Sequence, residues 1–281
     1  ADDGNSDTDG DGVTLAEEFA NGSFPRLAES EANIVGDRLE SPDNDVEDRF
    51  GYALAGGDLN GDGIDDLVIG ASVYDTTGAV FIAWGTPSGV YTTLEVLRPQ
   101  SGETTFGRDV EVGDWDDNGL PDLAIAAADT VAIHWNNGEI YELPDNWLDA
   151  FNGGSLAIDS ADLDNDGVDD LLVFARIDSN SERVDAYLSS TGGPDAAPQV
   201  LVAAGNTIVG HATGDLDGDG KLDLLFGMPS LPGVSIFFGA DNDWRTDPGL
   251  TNQTYLLAPV GLSQFGWSLA ANGDVTGDGI D

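Results

Sequence analysis

Short apolar runs bounded by glycine, threonine, serine and proline set the rhythm of this chain. Residues 66–71 (DLVIGA), 78–84 (GAVFIAW) and 94–98 (LEVLR) form one group. The order returns as 170–174 (DLLVF), 186–188 (AYL) and 199–202 (QVLV), and again as 224–226 (LLF), 234–238 (VSIFF) and 254–257 (TYLL). Runs this short, rich in β-branched and aromatic residues, predict β-strands and argue against helical repeats. With the strand that leads into each group, the unit has four strands. A small four-stranded antiparallel sheet keeps an apolar face on each side, so it is stable only when stacked against neighbours, as in a β-propeller. The expected fold class is therefore all-β, a propeller of four-stranded antiparallel blades. A parallel β-helix is the alternative architecture, although its coils are usually shorter.

Each group is preceded by a nine-residue acidic loop, and the first aspartates of the five copies stand at positions 58, 114, 162, 215 and 274, giving steps of 56, 48, 53 and 59 residues. A period of this size marks one repeating supersecondary unit with surface insertions. The loops have the donor set of a calcium site, in which hard oxygens gather at roughly 2.3–2.6 Å around one ion. Position 1 is Asp58, Asp114, Asp162 or Asp215; position 3 is Asn60, Asp116, Asp164 or Asp217; position 5 is Asp62, Asn118, Asp166 or Asp219. Position 7 would give its backbone carbonyl (Ile64, Leu120, Val168, Lys221), and position 9 is Asp66, Asp122, Asp170 or Asp223. The fifth copy offers Asp274, Thr276, Asp278 and Ile280, and the sequence ends at Asp281, one residue before its position 9. Glycine at position 6 lets the backbone reverse.

Phe50-Gly-Tyr-Ala-Leu-Ala-Gly-Gly-Asp58, the loop that follows and the strand 66–71 together resemble the FG-GAP repeat of integrin α-subunit propellers, which is also common in bacterial surface proteins. Phe106-Gly107 and Phe265-Gly266 precede their loops in the same way, whereas Gly153-Gly154 and Val209-Gly210 stand where Phe-Gly is expected in the third and fourth copies. The resemblance covers roughly residues 30–281. It implies that each acidic loop joins the first and second strands of a blade, that the ring has seven blades, and that the segment around Asn33-Ile-Val35 supplies an outermost strand. Four complete repeats and the opening of a fifth make an open ring, whose exposed edge calls for at least two more blades or a covering chain.

Residues 7–18 (DTDGDGVTLAEE) carry a second calcium pattern, with Asp7, Asp9 and Asp11 at positions 1, 3 and 5, the carbonyl of Val13 at 7, and Glu18 at 12, as in an EF-hand loop. With the alternate Asp3, Asn5 and Asp7 upstream, the segment resembles thrombospondin type 3 loops; a disordered acidic tail is the other reading. The expected organisation is a calcium-loop segment at 1–22, a linker at 23–32 and the propeller at 33–281, with one Ca²⁺ per acidic loop and up to six in all.

Composition sharpens the functional reading. There are 53 acidic against 9 basic residues, a formal charge of −44, which makes nucleic acid and anionic membranes poor partners. Cysteine is absent, so stability rests on the core and on metal rather than on disulfides. Weak oxygen-only calcium sites suit extracellular, millimolar calcium, and the sequence has no apolar stretch fit for membrane insertion. Of the two histidines, His134 lies within the run Val131–Trp135 and His211 just ahead of the fourth loop, and neither sits in a catalytic motif. Trp84 and Trp135 fall at equivalent ends of third strands and read as core, while Trp147 and Trp244 lie in polar stretches suited to an exposed contact platform.

The expectation is a non-enzymatic, calcium-binding extracellular propeller that serves as an adhesion or assembly module, with a protein or glycan partner at the cell surface or further copies of the same assembly. A carbohydrate-binding or polysaccharide-degrading propeller and a structural subunit of a surface filament remain the alternatives.

Overall fold

The computed structural model describes residues 39, 41–42, 47–89, 91–99, 103–138, 146–148, 155–178, 181–190, 193–194, 198–206, 208, 210–228, 233–239, 253–259 and 265–271. Among the described residues, sixteen strands form four separate antiparallel sheets, each an up-and-down meander of four consecutive strands. The first sheet is β1 (Phe50–Gly57), β2 (Asp66–Ala71), β3 (Ala79–Trp84) and β4 (Thr92–Leu97). The second is β5 (Asp109–Gly113), β6 (Asp122–Ala126), β7 (Val131–His134) and β8 (Asn146–Leu148). The third is β9 (Ser155–Ala161), β10 (Asp170–Asp178), β11 (Ser181–Tyr187) and β12 (Gln199–Asn206), and the fourth is β13 (Gly210–Gly214), β14 (Asp223–Met228), β15 (Gly233–Phe237) and β16 (Gln253–Leu257). The chain is thus all-β, with the repeating sheet of a propeller blade. Among the described residues no helix is long and apolar enough to cross a membrane.

Most strands fall where the apolar runs predict. The exceptions are β10, β11 and β12, which extend beyond the predicted runs, and Trp147, which sits in β8, the fourth strand of its sheet. Central strands such as β6, β7 and β14 are buried along their whole length, and β3 along all of it but the half-buried Trp84. Both of their faces are covered, so they read as unbroken apolar runs instead of alternating ones.

The chain divides into two compact units. One contains the first sheet and most of the second; the other contains the third and fourth sheets together with the loop Gly113–Asp122. Within the first unit, Ala53, Val68, Val80, Ile82 and Leu97 pack face to face with Phe106, Val110, Leu123, Ile125 and Ala132 of the next sheet. Within the second unit, Leu172, Phe174, Val184, Ala186 and Leu201 meet Ile208, Leu224, Phe226 and Phe237. The far side of the fourth sheet packs Val234 against Phe265, Leu269 and Ala271, the opening of the fifth repeat.

The Phe-Gly pair plugs one sheet onto its predecessor. Phe106 is fully buried and donates its backbone N–H to Thr77 O at 3.0 Å, while Gly107 donates to Ala126 O of its own sheet at 3.1 Å. The carbonyl of Gly107 lies so close to β2 that a Cβ on Gly70 would stand 2.2 Å from it. The same contact recurs later, where a Cβ on Gly227 would stand 1.7 Å from Gly266 O. Glycine at the fifth residue of the second strand and Phe-Gly in the following repeat are therefore two halves of one joint. Where the Phe-Gly is missing, the strand residue changes too. Phe174 holds the place of Gly70, stacks on His211 (centroids 3.9 Å apart, planes at 21°) and meets Phe226 edge-on.

Candidate metal centres

Each acidic loop joins the first and second strands of its sheet. The position-1 carboxylate closes the turn by accepting two backbone N–H groups. Asp58 takes those of Asp62 (2.9 Å) and Gly63 (2.7 Å), Asp114 those of Asn118 (3.1 Å) and Gly119 (2.8 Å), Asp162 those of Asp166 (3.0 Å) and Gly167 (2.9 Å), and Asp215 those of Asp219 (3.1 Å) and Gly220 (2.8 Å). One step on, the position-5 oxygen of Asp62, Asn118, Asp166 or Asp219 accepts the N–H of Ile64, Leu120, Val168 or Lys221. Asn60, Asp116 and Asp217 at position 3 accept the position-5 N–H as well.

This curl needs a left-handed backbone at two places. Position 6 is glycine throughout, with φ between 84° and 92°, and position 4 is Gly61, Asp117, Asn165 or Gly218, with φ between 58° and 76°. Only glycine, asparagine and aspartate adopt that conformation at low cost.

Position 9 lies deepest. Asp66, Asp122, Asp170 and Asp223 are buried, and each accepts the position-2 N–H (Leu59, Trp115, Leu163 or Leu216) at 2.8–3.0 Å. The second oxygen of three of them reaches the end of the third strand, accepting the N–H of Gly85 (2.8 Å), Ser189 (2.6 Å) or Gly239 (2.8 Å). Burial pushes Asp66 up to about 6 and Asp170 up to about 7, and Asp223 upward as well, against the lowering effect of these backbone bonds. Neighbouring loop carboxylates add to the push. A buried acid ringed by like charges is strained as an anion until a cation joins it.

One carboxylate oxygen from each of Asp114, Asp116 and Asp122 lies within 4.8 Å of the others, and so do those of Asp162, Asp164 and Asp170, and of Asp215, Asp217 and Asp223. The first loop shares the hydrogen-bond pattern, with the Asn60 amide in place of the position-3 acid. The donor set is all oxygen, which fits a hard cation such as Ca²⁺ and not a thiolate- or imidazole-seeking metal. The predicted N-terminal ligands Asp7, Asp9, Asp11, Val13 and Glu18, and Asp274, Thr276, Asp278 and Ile280 of the fifth loop, lie outside the described residues.

Two kinds of residue escaped the sequence reading. Position 2 anchors the loop, with Leu59, Trp115 and Leu163 almost fully buried; its signal is an apolar residue directly after each first aspartate. Gly85, Ser189 and Gly239 tie the loop to the third strand. A Cβ on Gly85 or Gly239 would come within 2.3 or 2.5 Å of backbone oxygen, so glycine just after a third-strand apolar run was the available signal.

Neither histidine belongs to these aspartate clusters. His134 is buried in β7 and held neutral, its pKa lowered by burial to about 4. His211 Nε2 lies 3.6 Å from Asp159 Oδ2, and burial lowers the histidine and raises the aspartate.

Comparison with known proteins points the same way. Residues 50–92 match the FG-GAP repeat and residues 114–173 the FG-GAP-like repeat. Integrin alpha-4 of Xenopus laevis is 39% identical over 84 residues, 28% of this chain and 8% of the relative. Phosphatidylinositol-glycan-specific phospholipase D of Rattus norvegicus is 30% identical over 205 residues, 66% of this chain and 19% of the relative. Integrin alpha-5 of Xenopus laevis is 28% identical over 226 residues, 68% of this chain and 21% of the relative. The chain therefore spans about a fifth or less of the length of these relatives. Repeat matches, four-stranded sheets and the Phe-Gly joint together identify the chain as an FG-GAP repeat β-propeller protein, similar to the integrin α-subunits.

Proposed function

We propose that this chain is a calcium-stabilised, non-enzymatic propeller segment of a cell-surface or secreted protein, acting as an adhesion or protein-interaction module. The observation that carries the calcium part is the uniform curl of four loops, each gathering side-chain oxygens around a buried aspartate. Asp, Asn and backbone oxygens would hold one ion per loop, and the ion supplies the positive charge those carboxylates lack. The protein's own residues do the rest. Position 1 sets the turn, position 9 links the loop to the third strand, and position 2 fixes it in the core.

The adhesion part rests on similarity to integrin α-subunits, which are cell-surface proteins, and on a charge of −44 that disfavours nucleic acid. Domain limits of 1–22, 23–32 and 33–281, a ring completed by further repeats, and a sixth calcium site at Asp7–Glu18 belong to the same proposal. Each loop filled at 100 times its dissociation constant would stabilise the folded chain by about 2.7 kcal/mol. Chelation with EGTA should therefore lower the melting temperature by about 5–10 °C for each loop that it empties at this chain length. An unchanged melt removes calcium from the account. Retention of cell-surface protein on the immobilised, calcium-loaded chain, lost in EGTA, tests the interaction role.

A further inference from the structure

Two of the acidic loops are held at position 2 by a polar side chain from the sheet that follows them. In the first loop, the carbonyl of the buried Leu59 accepts a hydrogen bond from Asn136 Nδ2 at 2.8 Å. Asn136 lies just past β7 of the second sheet and is itself buried. Its Oδ1 accepts the N–H of Gly138 at 3.1 Å, which turns the amide so that its NH₂ group faces Leu59. The Leu59 N–H goes to Asp66 Oδ2, so position 2 is fixed from two sides, by its own loop at the N–H and by the next sheet at the carbonyl. That carbonyl belongs to the peptide leading into Asn60, the position-3 oxygen donor. In the second loop the tie runs through the side chain. Trp115, fully buried at position 2, donates its Nε1–H to Ser160 Oγ of β9 at 3.1 Å. A Cβ on Gly113 would stand 2.5 Å from that oxygen and 2.9 Å from the indole, so the bond has room only because residue 113 is glycine. Position 2 of the third loop, Leu163, is held by apolar contact, in the cluster that contains Leu188 and Leu224.

We infer that Asn136 and Ser160 are positioning residues for the first and second cation sites, each fixing the position-2 residue, and with it the curl that carries the ligands, from outside the loop. This rests on the calcium reading above. Without its ion an acidic loop is pushed apart by its own carboxylates. A bond from the next sheet keeps position 2 where the filled loop needs it, so less freedom is lost when the ion binds. Supporting bonds one step removed from a metal's ligands are worth about tenfold or more in affinity. The calcium affinity of each of these loops therefore depends on the folding of the sheet that follows, although that sheet contributes no ligand.

The position-6 amides report on each loop separately, since Gly63, Gly119, Gly167 and Gly220 each donate to a position-1 carboxylate. Calcium titration of the full, ¹⁵N-glycine-labelled chain would follow all four. Asn136→Leu fills the same space without a donor and should raise the calcium midpoint at Gly63 by about tenfold, with Gly167 and Gly220 left in place. Asn136→Ala should give the same pattern. Ser160→Ala should raise the midpoint at Gly119 and leave those at Gly63 and Gly220. Trp115→Phe removes the same bond from its other end, so the double variant with Ser160→Ala should shift Gly119 no further than Trp115→Phe alone. Unmoved midpoints at Gly63 and Gly119, an equal shift at all four amides, or additive shifts in the Trp115–Ser160 pair overturn the inference while leaving the calcium reading intact. If none of the four amides responds to calcium in the parent chain, the calcium reading falls and the inference with it.

Discussion

The position-9 aspartate is the residue on which each loop turns. Asp170 is raised to about 7 and Asp66 to about 6, chiefly by burial. In the metal-free chain the neutral carboxyls contribute stability below about pH 4, the ordinary aspartate range, and that contribution is lost as pH rises through about 6 to 7. Calcium needs the carboxylate, so its affinity should fall as pH is lowered through the same window. Calorimetry at pH 6.5 in buffers of different ionisation enthalpy should register protons released on calcium binding, and identical heats in all buffers would contradict the assigned burial. Asp170→Asn should remove the requirement at the third loop while keeping oxygen at that position, so calcium binding there weakens and loses its pH dependence. The curled acidic turns were legible because acids and amides at alternate positions with glycine at 6 mark each turn in the sequence. Position 2 was not, because a leucine or tryptophan between acids looks like any apolar residue until its burial is known.

At the scale of the element, the strand pattern was legible and the joint between sheets was not. DLVIGA reads as a strand whichever face its glycine serves; only the 2.2 Å approach to Gly107 O explains why residue 70 has no side chain. Gly70→Ala should therefore force the Phe-Gly turn away and cost about 1–3 kcal/mol, the range for overpacking a tight core, measurable as a shift in urea midpoint. Ala126, which holds the same place in β6, should tolerate glycine with a smaller loss. The absence of Phe-Gly from the third and fourth repeats is explained at one of the two junctions. Phe174 brings its own ring into the space between the third and fourth sheets, and Phe174→Ala should cost about 3–5 kcal/mol. The Gly153-Gly154 junction lies outside the described residues.

For the whole molecule, charge dominates. With 53 acids and 9 bases, the metal-free chain is self-repelling, and added salt screens that repulsion. The metal-free melting temperature should rise from 0.01 to 1 M NaCl, with a smaller rise in the calcium-loaded chain, because bound ions have already cancelled the most crowded charges. A salt-independent melt in EGTA would place the excess charge too far apart to matter.

The bonds from Gly85, Ser189 and Gly239 into the loops carry a last consequence. Each links a turn at one end of a hairpin to the backbone leaving its third strand, so losing the ion would loosen a point sixteen to nineteen residues downstream in sequence. A protease added after chelation should first nick the chain beside these residues, and a calcium-replete chain should resist it there.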